Sequence, residues 1–259
     1  MGRVIYAAHA AESELVSMTP VETARPPLPR DKRRYVREVF SEIAPRYDFL
    51  NHLLSLNIDR SWRRKAVDRL AWDRRPAGVF LDACAGTLDL SAALARSPGF
   101  RGRVVAADFA LPMLRLGRAK IPRGLVSVAA ADTLELPFDG ATFDGAMIAF
   151  GIRNLADLDA GLAELGRVLR PGGRLVILDF TTPSFAPIRA LYLFYFRRIL
   201  PLVGRLVSGH PSAYNYLPAS VLDFPAPGGL EERLALAGFR DHGHTLLTAG
   251  IAAIHWGVR

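Results

Sequence analysis

The chain has 259 residues, half of them hydrophobic, enough to bury the core of one large α/β domain. Its formal net charge of +8 favours anionic partners, but the arginines crowding residues 31–75 lack the interleaved aromatics of a single-strand-binding surface, so no nucleic-acid partner is expected. The single cysteine, Cys84, rules out a disulfide framework and a cysteine-held metal, and no charge-free apolar run approaches the roughly 20 residues of a membrane span. The expectation is a cytoplasmic protein with no metal.

Residues 1–30 mix small, polar and proline residues without a period, as a flexible tail does, and residues 31–259 are expected to form one domain. From Lys32 the pattern turns helical, with Tyr35, Val36, Val39, Phe40 and Ile43 on one face and a break at Pro45. Further helices are predicted over 49–56 and 61–70. Strands and helices then alternate. Strands fall at 79–83, 103–107, 126–130, 143–150 and 174–180, and helices at 89–96, 112–119 and 158–169, the last closed by Pro171-Gly172-Gly173. Residues 185–207 are aromatic and apolar but interrupted by arginines, as an amphipathic cover is. Residues 230–258 read as one helix, capped at Gly238, and two closing strands. This order builds a doubly wound, mostly parallel sheet of seven strands, whose ligands bind at the carboxyl ends of the strands.

The first strand runs into Asp82-Ala83-Cys84-Ala85-Gly86-Thr87-Leu88-Asp89, a small-residue turn opening a helix. Such a turn lets backbone N–H groups and a helix N-terminus approach an anionic or polar ligand. Only one glycine remains in it, too few for the spaced glycines of a nicotinamide dinucleotide loop. Asp82, Asp89, Asp108 and Asp132 fall at or just past strand ends, around one crevice. Asp108 is placed to accept ribose hydroxyls, or to cap the next helix. Asp132 with Thr133 is placed to hold an adenine edge, or to form an Asx turn.

Two long blocks resemble a known family. Residues 44–55, Ala-Pro-Arg-Tyr-Asp-Phe-Leu-Asn-His-Leu-Leu-Ser, continue to Asp59-Arg60-Ser61-Trp62-Arg63-Arg64, and Phe150-Gly151-Ile152-Arg153-Asn154 is followed by the Pro171-Gly172-Gly173 block. With Tyr214-Asn215-Tyr216-Leu217-Pro218 and the segment from Leu247 to His255, they resemble the ubiquinone/menaquinone biosynthesis C-methyltransferases. The resemblance implies a Rossmann-like class I methyltransferase fold using S-adenosylmethionine. It implies that Gly86 and Thr87 contact the methionine part, Asp108 the ribose, and Asp132 with Thr133 the adenine, with Asp82 and Ala149 also lining the cofactor.

The implied acceptor is a ring carbon of a polyprenylated benzoquinol or naphthoquinol, housed under 185–207. Arg153 is the candidate cation favouring the phenolate, in a position given a base-assisting role in the family. Tyr47 and His52 are candidates to orient or deprotonate the quinol, and Tyr214 and Tyr216 could line the ring pocket or simply pack. A peripheral membrane contact and a homodimer are the further expected partners. Two alternatives stay open: methylation of another phenolic or terpenoid molecule, and a scaffold relative without catalysis.

Two departures stand out. Leu88 replaces the last glycine of the family's Gly-Thr-Gly-Asp loop, and Trp256 stands where a basic residue is usual. If position 88 needs φ > 0, leucine costs on the order of 1–2 kcal/mol there. On sequence alone, Leu88→Gly is expected to leave activity equal or raise it.

Overall fold

The computed structural model describes residues 31–55, 57–199 and 211–259. The expected tail and the last part of the expected cover, residues 200–207, lie outside these. Helices α1 (Lys32–Leu54) and α2 (Ile58–Arg69) precede β1 (Val79–Ala83), α3 (Asp89–Ala95), β2 (Arg103–Asp108), α4 (Leu111–Gly117) and β3 (Val126–Ala130). Then follow β4 (Phe143–Ala149), α5 (Leu158–Val168), β5 (Leu169–Phe180) and α6 (Ala186–Phe194). The chain closes with α7 (Pro211–Asp223), α8 (Pro227–Leu236), β6 (Arg240–Leu247) and β7 (Ala252–Val258).

The seven strands lie in the order β3-β2-β1-β4-β5-β7-β6, parallel except for β7, which runs antiparallel to both neighbours. Parallel strands between two helical layers must be apolar on both faces, and β1, β4 and β5 are. Phe80, Met147 and Val176 pack beneath Trp62 and Leu94 on the α2/α3 side. Their neighbours Leu81, Ile148 and Ile177 pack beneath Leu162 and Leu165 of α5 on the other. The strand order reverses between β1 and β4, which opens the crevice at their carboxyl ends.

Four expectations need correction. Pro45 does not break the first helix: α1 runs through it, because Ala44 is buried against Ala110 and Met113, and this packing holds the turn that proline weakens. The helix expected over 49–56 is no separate element but the end of α1, and the one expected over 61–70 starts three residues earlier, at Ile58, as α2. The Pro171-Gly172-Gly173 block lies within β5, where it offsets the pairing with β4 between Phe143 and Gly145, and α5 ends before it. Trp256 serves the packing of the sheet's edge. Arg69 lies over its ring at 4.0 Å, and a Cβ on Gly243 would come within 2.8 Å of it.

Leu88 adopts the left-handed conformation, φ 67° and ψ 20°. Its side chain is fully buried and points away from the crevice, packing with Ala106 and Leu114. Gly117 at the end of α4 makes room for it: a Cβ there would lie 2.6 Å from Leu88 Cγ and 2.5 Å from the Thr87 carbonyl. Packing thus outweighs strain. Removing a buried leucine side chain costs about 2–5 kcal/mol, against about 1–2 kcal/mol of backbone relief. Leu88→Gly is therefore expected to lower Tm, by roughly 4–8 °C in thermal unfolding followed by circular dichroism; an unchanged or higher Tm would show that strain dominates.

Candidate active site

The crevice is built from the loop after β1 and the turn after β4. Cys84, Gly86 and Leu88 all have positive φ, of 48°, 53° and 67°, so this loop is held in a conformation that non-glycine residues rarely adopt. Phe150, at the mouth of β4, has φ 58°. The two segments touch directly, since a Cβ on Gly151 would stand 2.4 Å from Cys84 Cβ.

The acids at the strand ends have separate roles. Alternation along β1 turns Asp82 to the same side as Phe80, towards α3. There its Oδ2 accepts from Ser91 N at 2.9 Å and Ser91 Oγ at 2.6 Å. Asp82 thereby pins the start of α3. Asp108 accepts from Gly86 N at 2.8 Å and Ala110 N at 2.7 Å, which fixes the glycine of the loop against the end of β2. Burial lifts its carboxyl to about 6. Each of its oxygens retains a lone pair, the acceptor capacity a ribose diol needs.

A narrow cavity beside Asp108 is lined by Cys84, Asp132, Thr133 and Asn154, with Arg33 across its mouth. Arg33 of α1 forms an ion pair with Asp132, and Thr133 Oγ1 lies 3.3 Å from Cys84 Sγ. Burial raises the Cys84 thiol, so it stays protonated. Ala149 ends β4, half-buried in the α2-side core. At the other end of the crevice, Thr87 Oγ1 donates to Asp48 of α1. Lys120, which sequence reasoning missed, joins Asp48 at 2.5 Å, Asp89 at 2.7 Å and Thr87 Oγ1 at 3.1 Å. Helix α1 thus spans the crevice and is latched at both ends.

On the β4/β5 side, Arg153 is buried and paired with Asp179 at the end of β5: its Nη1 donates to Asp179 Oδ1 at 2.7 Å and to Phe150 O at 2.6 Å. Lys32 of α1 steadies this turn by donating to the carbonyls of Arg153 at 3.0 Å and Leu155 at 2.7 Å. Tyr216 is buried edge-on to Tyr35, with ring centroids 5.6 Å apart. Tyr47 and His52 lie on α1 and Tyr214 on α7, at positions whose side chains fall outside what the structure describes. A second cavity of about 300 Å³ lies behind the Arg153 turn; its walls include Lys32, Asp157, Asp223 and Arg233, charges of both signs that do not suit a hydrocarbon chain. Among the described residues no His, Cys, Asp and Glu group is arranged to hold a metal.

A model of the ubiE/COQ5 methyltransferase family matches residues 29–259. The chain belongs to the ubiE/COQ5 methyltransferase family. It is 52% identical over 224 residues to a demethylmenaquinone methyltransferase of Thermus thermophilus, covering 85% of this chain and 100% of that one. It is 45% identical over 231 residues to a ubiquinone/menaquinone biosynthesis C-methyltransferase of Geobacter sulfurreducens, covering 88% of this chain and 89% of that one. The fold is shared with a solved S-adenosylmethionine-dependent methyltransferase of Thermotoga maritima, with TM-score 0.61 at 17% identity over 85% of this chain and 98% of that one. The ubiE/COQ5 chain is therefore a class I methyltransferase, and its methyl donor is S-adenosylmethionine.

The residues fit that donor: a buried acid with spare acceptor capacity at the end of β2, and a second acid and a threonine at the end of β3. Asp82 acts beneath them. Burial lifts its carboxyl to about 7. Between the ordinary carboxylate range and about 7, the native chain keeps a proton that the unfolded chain has lost, so this group's contribution to stability falls as pH rises through that window and then levels off. Asp82→Asn removes the titration but leaves an oxygen to accept from Ser91. The Tm difference between variant and native protein is expected to move in the variant's favour between about pH 4.5 and pH 8; a flat difference would show Asp82 ionised in the fold throughout.

Proposed function

We propose that this enzyme transfers the methyl of S-adenosylmethionine to a ring carbon of a polyprenylated quinol, a demethylmenaquinol or a ubiquinol precursor. The observation that carries the reading is its near-full-length similarity to relatives named for that reaction. In this reading Gly86 and Thr87 hold the methionine part, Asp108 the ribose, and Asp132 with Thr133 the adenine, after Arg33 has moved off Asp132. Ala149 lines the cofactor, and Asp82 supports it through α3. The donor supplies a methyl already activated on a sulfonium, so the protein's work is alignment and control of charge at the ring. Arg153 is the cation that faces the ionised ring oxygen, and Tyr47 and His52 of α1 orient the quinol.

The reading extends to the membrane. No helix among the described residues is long and apolar enough to cross one. Yet Phe185, Leu191, Phe194 and Ile199 expose large apolar side chains on α6 and the turns at its two ends. Arg189 and Arg198 are exposed beside them. Exposed apolar residues flanked by cations suit an anionic lipid surface, where a prenylated acceptor resides. A second copy of the chain is the other occupant this face admits.

The reaction is tested by incubating the protein with isotope-labelled S-adenosylmethionine and a panel of demethylmenaquinol, a demethylated ubiquinol precursor and short phenols. Mass spectrometry is expected to find the label on a quinol ring carbon; cofactor binding with every quinol unmethylated would refute the reading. Leu191→Glu with Phe194→Glu is expected to weaken sedimentation with anionic phospholipid vesicles by roughly tenfold or more, while detergent-dispersed quinol is still methylated. Unchanged sedimentation, with a native dimer that the substitutions dissociate, would assign the face to self-association instead.

A further inference from the structure

The Arg153–Asp179 pair poses a chemical problem. A ring carbon becomes nucleophilic when the neighbouring hydroxyl ionises, so a group must take the hydroxyl proton. Arg153 cannot, because a guanidinium remains protonated in proteins and has no acceptor lone pair. Nor is it a free cation, for Asp179 neutralises it at 2.7 Å. Asp179 itself has acceptor capacity to spare. Its Oδ1 accepts from Arg153 Nη1 and from Phe180 N at 2.8 Å, whereas Oδ2 has only a 3.5 Å contact from Arg153 N.

At this pair, buried polar atoms lack partners among the described residues: Arg153 Nε, and the OH of Tyr216, which lies within electrostatic reach of both Arg153 and Asp179. Leaving such groups unpaired is costly, and their concentration in one place marks where a ligand's oxygens belong. Aromatic rings adjoin them. Phe150 and Phe180 lie 4.8 Å apart, centroid to centroid, and Arg153 sits 5.5 Å from the Phe180 centroid. The groups facing Asp179 are Arg153 from the β4 turn, Tyr192 from α6 and Tyr216 from α7, with Tyr35, Lys32 and Asp223 further out.

We propose that Asp179 is the general base of this site, taking the hydroxyl proton of the acceptor ring while Arg153 and Tyr216 hold the oxygen left behind. The proposal rests on the quinol reading. The O–H bond breaks and its proton passes to Asp179 Oδ2, while the oxygen's electrons enter the ring. The adjacent ring carbon forms its new bond to the methyl, and the electrons of the old bond return to sulfur, which becomes neutral. That carbon then loses its own proton to water, and the oxygen recovers the proton held by Asp179. One proton leaves overall and the carboxylate is restored.

The charges explain the pairing. Before the transfer Arg153 and Asp179 cancel; once Asp179 is protonated, Arg153 becomes an unpaired cation beside a new anion, as the ionised ring requires. Burial holds the Asp179 carboxyl above its ordinary range, which makes it a better proton acceptor.

The test uses the full chain saturated with S-adenosylhomocysteine and the probe 2-nitrohydroquinone, whose ionised form absorbs at longer wavelength, at a pH below the probe's own ionisation. Absorbance reports whether the bound probe is ionised, and calorimetry in buffers of different protonation enthalpy reports whether its proton reaches solvent. The native protein is expected to bind the probe ionised without releasing a proton. Asp179→Asn is expected either to bind it protonated or to release one proton per ionised probe, and to lower kcat on a quinol by about 100-fold or more with cofactor affinity unchanged. Asp179→Glu, which keeps the charge against Arg153, is expected to behave as the native protein does with the probe and decides the matter if the asparagine variant does not fold. A native protein that binds the probe unionised or releases its proton, or an asparagine variant matching the native, overturns the proposal. A native chain that binds neither probe nor quinol overturns the functional reading as well.

Discussion

The close approach of two loops governs this active site. Gly151 lies against Cys84 with no room for a side chain between them, and this contact sets the end of β4 beside the loop after β1. Without it the Arg153 turn would stand off from the Gly86 loop, and in the proposed reaction donor and acceptor would lose their common geometry. The positive φ values at Cys84, Leu88 and Phe150 belong to the same constraint. Strain of this kind persists only where surrounding packing over-determines the backbone, and the buried cores on both faces of β1 and β4 supply that packing.

Around this junction the carboxylates are graded by what they touch. Asp82 takes its hydrogen bonds from α3, Asp108 sees the loop backbone and the cavity, and Asp132 sees Arg33 at the rim. Asp179 sees an arginine that never gives up its proton. Similar acids at the ends of parallel strands thus anchor a helix, offer hydrogen-bond acceptors, meet a cation at the rim or exchange a proton, according to their partners and burial.

Much of this was legible in the sequence, for physical reasons. The strands declared themselves because those buried on both faces are almost purely apolar, and the turn after β1 because small residues leave its backbone accessible. Asp82, expected to line the cofactor, shares the face of Phe80 by period-two alternation, but that α3 covers this face is a tertiary fact the strand alone does not carry. Asp179 carried the same signal as Asp108, an acid at the end of a strand, but its significance depends on Arg153, which only the sheet order brings alongside. Lys120 and Lys32 gave no local sign, being remote in sequence from the loops they bind. Pro45 misled because the cost of a proline in a helix is local and calculable, whereas the burial of Ala44 that offsets it is tertiary.

Leu88 fills the space that Gly117 leaves. Glycine at 88 would open a hole beneath the sheet, and any side chain at 117 would strike the leucine and the Thr87 carbonyl. Neither position can change without loss. The dependence runs one way: the Thr87 backbone alone keeps position 117 a glycine, and only because that space is left can position 88 carry a side chain as large as leucine.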